Sequence, residues 1–206
     1  MKIKDREKVI AYESELERSF DLVLKEADQL YQGQGRLKKT YGRLAKCLDE
    51  LGISYSLIGG YALILHGVRR FTEDIGLLVS QEGLDKIHKE LIGRGYVRVA
   101  PEGRNLRDIE TGVQIEFLVT GEFPGDGKPT PVAFPDPETV GEIREGIKVI
   151  NLKSLIELKL ASGMTAKARL QDLADIQRLI MQHHLAADFA EQLHPYVRKK
   201  FLELLT

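Results

Sequence analysis

YSLIGGYALILHGVRRFTEDIGLLVS, residues 55–80, is the stretch whose reading decides the fold. The apolar run Tyr55 to Ile58 ahead of Gly59-Gly60 reads as a buried strand entering a helix. That helix is expected from Tyr61 to about His66, followed by a basic turn through Arg69-Arg70 and a second strand from Asp74 to Val79. Paired glycines at such a junction let backbone N–H groups approach an anion, and the helix dipole favours negative charge there. Asp74 heads an apolar strand, where a carboxylate is costly unless something binds it. Phosphate plus metal is the chemistry this combination suggests.

Working outward, the N-terminal side is helical in period. Leu16, Phe20, Val23, Leu24 and Ala27 share one stripe. Gln32-Gly33-Gln34-Gly35 reads as a helix break, since no strand precedes it as a phosphate loop would require. A second helix from Leu37 to Leu51 carries Tyr41, Leu44, Ala45 and Leu48 and is closed by Gly52, after which Ile53 to Ile58 opens the sheet.

Downstream, Gln81 to Ile92 reads as an amphipathic helix and Tyr96 to Ala100 as a strand. Two further strands, Asn105 to Ile109 and Val113 to Val119, flank the turn Glu110-Thr111-Gly112. Alternation in the second puts Gln114, Glu116 and Leu118 on one face and Val113, Ile115, Phe117 and Val119 on the other. Gly121 to Glu138 holds five of the seven prolines and reads as a long, functional or mobile loop in which Asp126 forms a turn. From Asn151 the chain is helical again: Leu152 to Ala161, ended by Ser162-Gly163; then Lys167 to His183, with Leu170, Leu173, Ala174, Ile176, Gln177 and Ile180 inward; then Asp188 to Leu205, interrupted or restarted at Pro195.

Composition sets the bounds. The 206 residues, 43% of them hydrophobic, suffice for one medium domain or a small domain with an appendage. No apolar run is long enough to span a membrane, and the basic start Met1-Lys2-Ile3-Lys4 lacks a signal-peptide pattern. The lone Cys47, read as a buried or half-buried thiol, fits a cytoplasmic protein. A net charge of −1 argues against a generally basic nucleic-acid binder. His66 and the His183-His184 pair read as packing or helix-terminal residues because no second His or Cys stands at ligand spacing, and His88 reads as a helix-surface residue.

The ordered set Gly59-Gly60, Arg70-x-Thr72-x-Asp74, Glu116 and Lys159 resembles the nucleotidyltransferase fold in its abortive-infection toxin branch, the AbiEii/AbiGii-like proteins. The resemblance spans Ile53 to about Ile180. It implies an α/β (α+β) chain with a small mixed sheet flanked by helices: an N-terminal helical extension over 1–50, a core over 51–150 and a C-terminal helical bundle over 151–206. It also implies that Asp74 and Glu116 hold Mg²⁺ or Mn²⁺, that Gly59 and Gly60 offer backbone N–H groups to phosphate, and that Arg70, Thr72 and Lys159 border it. Asp172 would orient the triphosphate or a basic group, and Asp175 follows on the same helical face; a plain Lys159–Asp172 salt bridge is the bland alternative. The implied activity is transfer of a nucleoside monophosphate from an NTP to an RNA end or a protein hydroxyl, with a possible antitoxin or a homodimer through the N-terminal helices.

At one position the pattern departs. The family's second Asp falls on Gly76, so the pair reads Asp74-Ile75-Gly76. Residues two apart on a strand point the same way, so Gly76 removes half of the grip such a pair has on two metal ions. Glu73 cannot replace it, since neighbouring strand residues face opposite sides. Whether the chain is an active enzyme or a degenerate relative acting as a nucleotide- or partner-binding module stays open, as does a mainly structural homodimer.

Overall fold

The computed structural model describes residues 35–205. The expected helix around Leu16 to Ala27 and the break at Gln32 to Gln34 lie outside the described residues.

Helix α1 (Arg36–Glu50) precedes strand β1 (Tyr55–Ile58), helix α2 (Gly60–Leu65), strand β2 (Asp74–Val79) and helix α3 (Gln81–Leu91). Strands β3 (Tyr96–Arg98), β4 (Leu106–Asp108) and β5 (Gln114–Val119) follow, then α4 (Pro137–Val140) and a hairpin of β6 (Gly141–Arg144) and β7 (Ile147–Ile150). The chain ends in α5 (Leu152–Thr165), a 3₁₀ turn (Lys167–Arg169), α6 (Leu170–His183), a second 3₁₀ segment (Ala187–Gln192) and α7 (Pro195–Glu203). These elements make a mixed α/β fold.

One seven-stranded sheet runs β3-β4-β5-β2-β1-β7-β6. Its centre is mixed: β2 pairs antiparallel with β1 and parallel with β5, and β1 pairs parallel with β7. All four residues of β1 are buried, as are Ile75 to Val79 of β2, which is why both read as continuous apolar runs. In β5 burial alternates, with Ile115, Phe117 and Val119 in the core and Gln114, Glu116 and Leu118 half-exposed, as the period-2 pattern requires.

Local chemistry sets the element ends. The Ser80 hydroxyl accepts from the Gly83 N–H and caps α3; Asn151 does the same for α5 through Ser154. Helix α1 buries Leu37, Tyr41, Leu44 and Leu48 and is tied to β4 by an ion pair from Arg43 to the buried Asp108. His88 is half-buried, its ring edge-on to Phe117, and Cys47 is half-buried on α1.

Some boundaries differ from the sequence reading, each for a reason in the packing. Ser162-Gly163 does not end α5, which continues to Thr165 because Ser162 bonds across to α6 and Gly163 receives Leu173. Leu170 and Gln177 face outward, Leu170 being 68% exposed, because Asp175, Ile176, Leu179 and Ile180 occupy the inner face of α6. The β6–β7 hairpin had no counterpart in the sequence reading. It turns on Glu145 and Gly146, both at positive φ (50° and 77°), which matches the twist of a tight hairpin.

Candidate active site

Strand β1 ends at Gly59, whose φ of 81° and ψ of −146° fall in a region almost closed to residues with a side chain. The chain then turns into α2 with Gly60 pressed against the segment ahead of β2. A Cβ on Gly60 would lie 2.5 Å from the Thr72 hydroxyl. That hydroxyl donates to Asp74 Oδ1 at 2.7 Å. The glycine pair therefore sets where Thr72, and through it Asp74, can stand.

Strand β5 brings the second carboxylate. In the parallel β2–β5 register Asp74 stands beside Gln114 and Gly76 beside Glu116, so Asp74 and Glu116 share one face of the sheet, one step apart on the diagonal. Among the described residues no side chain hydrogen-bonds or ion-pairs with Glu116. Its carboxyl is pushed above the usual range, first by burial and then by the charge of Asp74, against which Arg169 and Arg104 act. Glu73 is exposed and points away from this face.

Gly76 is more than a missing carboxylate. A Cβ there would meet the Ile58 carbonyl oxygen at 2.9 Å, and this is backbone of the neighbouring strand. Among the described residues no group of three or more His, Cys, Asp or Glu side chains could hold a metal ion. The donor set on this face, two carboxylates of which Glu116 lacks a partner, suits a single hard divalent cation completed by water and phosphate oxygens. It does not suit two.

The opposite wall is helical. Lys159 of α5 bonds Asp172 Oδ1 at 2.7 Å and Asp175 Oδ2 at 2.8 Å. Arg70, from the turn before β2, pairs with the same Asp175 oxygen, and Gln171 Nε2 donates to the other at 3.2 Å. Asp175 is fully buried and Lys159 is 6% exposed. The Ser162 hydroxyl donates to Asp172 Oδ2 at 2.7 Å. Burial raises the Asp172 pKa, but Lys159 and Ser162 outweigh it, and the carboxyl is held below its ordinary value.

Between these walls lies a cleft of about 760 Å³, within the size range of small-ligand sites. Gly59, Glu116, Lys159, Ser162, Arg169 and Asp172 line it together with the apolar Leu118, Phe123 and Phe134. The Pro-rich loop closes one side through residues 121–127, with the Thr165 hydroxyl donating to the Pro124 carbonyl. Of the residues the sequence singles out, the structure gathers Gly59, Glu116, Lys159 and Asp172 in this lining and keeps Arg70 in the network joined to it; Gly60, Thr72 and Asp74 lie outside the lining, Thr72 bonded to Asp74 on the diagonal from Glu116. The sequence reading gave Ser162, Gln171, Arg104 and Arg169 no role in the site. Ser162 carries a readable signal, one helical turn after Lys159 and on its face. His66 packs inside at 1% exposure, bonded to the Ile150 carbonyl, and His183 caps its backbone oxygen.

ANT(2")-Ia in complex with adenylyl-2"-tobramycin aligns over 82% of this chain and 98% of its own, with a TM-score of 0.53 and 11% identity. A solution structure of the antibiotic-resistance factor ANT(2'')-Ia aligns over 79% and 91%, with a TM-score of 0.50 and 14% identity. The fold is that of the nucleotidyltransferases. A nucleotidyltransferase-like protein from Paracoccidioides brasiliensis, 19% identical, covers 70% of this chain and 75% of its own with a TM-score of 0.45. No protein-family model and no curated protein sequence matches the chain. Asp74 and Glu116 occupy adjacent parallel strands and share a sheet face, with Glu116 in the cleft lining and Asp74 outside it, and no helix among the described residues is long and apolar enough to cross a membrane.

Proposed function

We propose that this chain is a nucleotidyltransferase of the AbiEii/AbiGii-like kind, moving a nucleoside monophosphate from an NTP to the hydroxyl of an RNA end or a protein. One observation carries the reading: Glu116, without a hydrogen-bond or ion-pair partner among the described residues, shares a sheet face with Asp74 at a cleft of nucleotide size. Even a half-buried carboxylate loses solvation when it has no partner, and a bound cation offsets that loss.

In this reading Asp74 and Glu116 hold Mg²⁺ or Mn²⁺, which when bound would neutralise charge on the triphosphate. Thr72 fixes the rotamer of Asp74. The acceptor oxygen attacks the α-phosphorus, an O–P bond forms as the α–β bridging bond breaks, and pyrophosphate leaves with the bonding pair. Glu116 takes the hydroxyl proton on a carboxylate oxygen not used for the cation. Lys159 keeps one N–H beyond its two carboxylate bonds and offers it to a phosphate oxygen on the cleft floor. ANT(2")-Ia, complexed with adenylyl-2"-tobramycin, supports the view that this fold can carry an adenylylated acceptor.

A second reading rests on Gly76. Lacking one carboxylate, with strand backbone crowding its position, the chain acts as a nucleotide- or partner-binding module that no longer turns over. Transfer of label from α-labelled ATP, CTP, GTP and UTP to RNA and protein, with Mg²⁺ or Mn²⁺, separates the two. Label moved by the native chain and lost in Asp74→Asn supports the enzyme; nucleotide binding without label transfer supports the module.

A further inference from the structure

The two cations that the sequence assigns to phosphate are already matched by carboxylates. Arg70 and Lys159 converge on Asp175, and Lys159 also bonds Asp172, so two positive charges face two negative ones in a largely buried network. The network is neutral as it stands. A triphosphate arriving beside it would find one spare N–H on Lys159 but no net positive charge.

Arg169 differs from both. It closes the 3₁₀ turn between α5 and α6, lines the cleft, and is exposed. Among the described residues no carboxylate lies within ion-pair distance of it, whereas Arg104, the other arginine of the cleft, is paired with Glu122. Its charge nonetheless reaches Glu116 and Asp172, one on each wall. The two helices that carry this exposed turn meet closely at its base: a Cβ on Gly163 would stand 2.6 Å from the Leu173 side chain. A guanidinium in the lining of a cleft, with no carboxylate at ion-pair distance among the described residues, suits bidentate contact with phosphate oxygens.

We propose that Arg169 is the residue that grips the triphosphate of a bound nucleotide, while Lys159, neutralised by Asp172 and Asp175, adds only its one spare N–H. The proposal rests on the nucleotidyl-transfer reading and adds to it the group that supplies the net positive charge.

Calorimetric titration of the full chain with ATP, CTP, GTP, UTP, their monophosphates and sodium tripolyphosphate tests it, using native protein, Arg169→Gln, Arg169→Lys and, as a surface control on α6, Arg178→Gln. Losing a charge-assisted pair weakens NTP and tripolyphosphate binding about tenfold in Arg169→Gln. Monophosphate affinity and melting temperature stay near native, Arg169→Lys recovers part of the loss, and Arg178→Gln binds as native does. Native-like NTP and tripolyphosphate affinity in Arg169→Gln overturns the Arg169 assignment and leaves the nucleotidyl-transfer reading standing. Failure of the native chain to bind any NTP overturns both.

Discussion

Gly76 and Ile58 stand opposite each other in the antiparallel β1–β2 pair, so close that a Cβ on Gly76 would meet the Ile58 carbonyl oxygen at 2.9 Å. A side chain could swing aside, but a strand carbonyl in the middle of a sheet cannot. Gly76→Ala should therefore cost about 1–3 kcal/mol through overpacking, and Gly76→Asp at least as much without a gain in transfer. Urea unfolding and label transfer measure the two effects. A Gly76→Asp protein as stable as native and more active would contradict the crowding argument.

Asp175 should be the least replaceable carboxylate in the protein. It has no exposed surface and joins Arg70, Lys159 and Gln171, so Asp175→Asn leaves two cations facing Asp172 alone. Breaking one member of such a buried network costs about 3–5 kcal/mol. Denaturant midpoints should drop far more for Asp175→Asn than for Asp126→Asn, whose carboxylate sits on an exposed turn with Lys128.

Glu116 should trade stability for activity. Burial, then the charge of Asp74, raises its folded pKa. A raised folded value means that Glu116 contributes stability in full below its ordinary value of about 4.3 and that this contribution is lost as pH rises through the folded value. Glu116→Gln should accordingly melt higher than native at pH 7 to 8, on the order of a few degrees, with the gap closing near pH 4. The same variant should lose label transfer. Equal melting curves at pH 8 would remove the strain argument.

His66 predicts the opposite pH trend. It is 1% exposed, its Nε2–H donates to the Ile150 carbonyl at 2.8 Å, and its Nδ1 is buried without a partner. Burial lowers its pKa; the Ile150 bond opposes this, Arg144 and His183 add to the lowering, and Glu142 opposes it. For a lowered folded value, stability is fully present above the unfolded value of about 6.5 and is lost as pH falls through the folded value. Native protein should lose stability as pH falls below about 6.5, and His66→Gln should flatten that slope in denaturant titrations.

The legible parts of the sequence were those where one local pattern had one physical cause. The run Asp74 to Val79, apolar after its first residue, marked strand β2 with the same limits, and alternation in β5 put Glu116 on the face away from Phe117. The β6–β7 hairpin went unread because each strand is only four residues long and β6 buries no residue, Ile143 being exposed; Glu145-Gly146 marked its turn. The buried face of α6 was misjudged at Leu170 and Gln177 because an apolar stripe cannot announce that a carboxylate, Asp175, lies inside it. Partners of Asp175 come from Arg70 and Lys159, and no local pattern carries a contact across such a sequence distance.

The loop around 124–131 divides the chain in a useful place. Asp74 and Glu116 lie before it, and Lys159, Asp172 and Asp175 after it, while β7 slots between β1 and β6 and Arg70 crosses to Asp175. A backbone cut there parts the site into two fragments that share a sheet and a buried ion network. Neither fragment alone carries both the β2–β5 carboxylates and the α5–α6 ion network, so the candidate site exists only where the two stretches of chain meet.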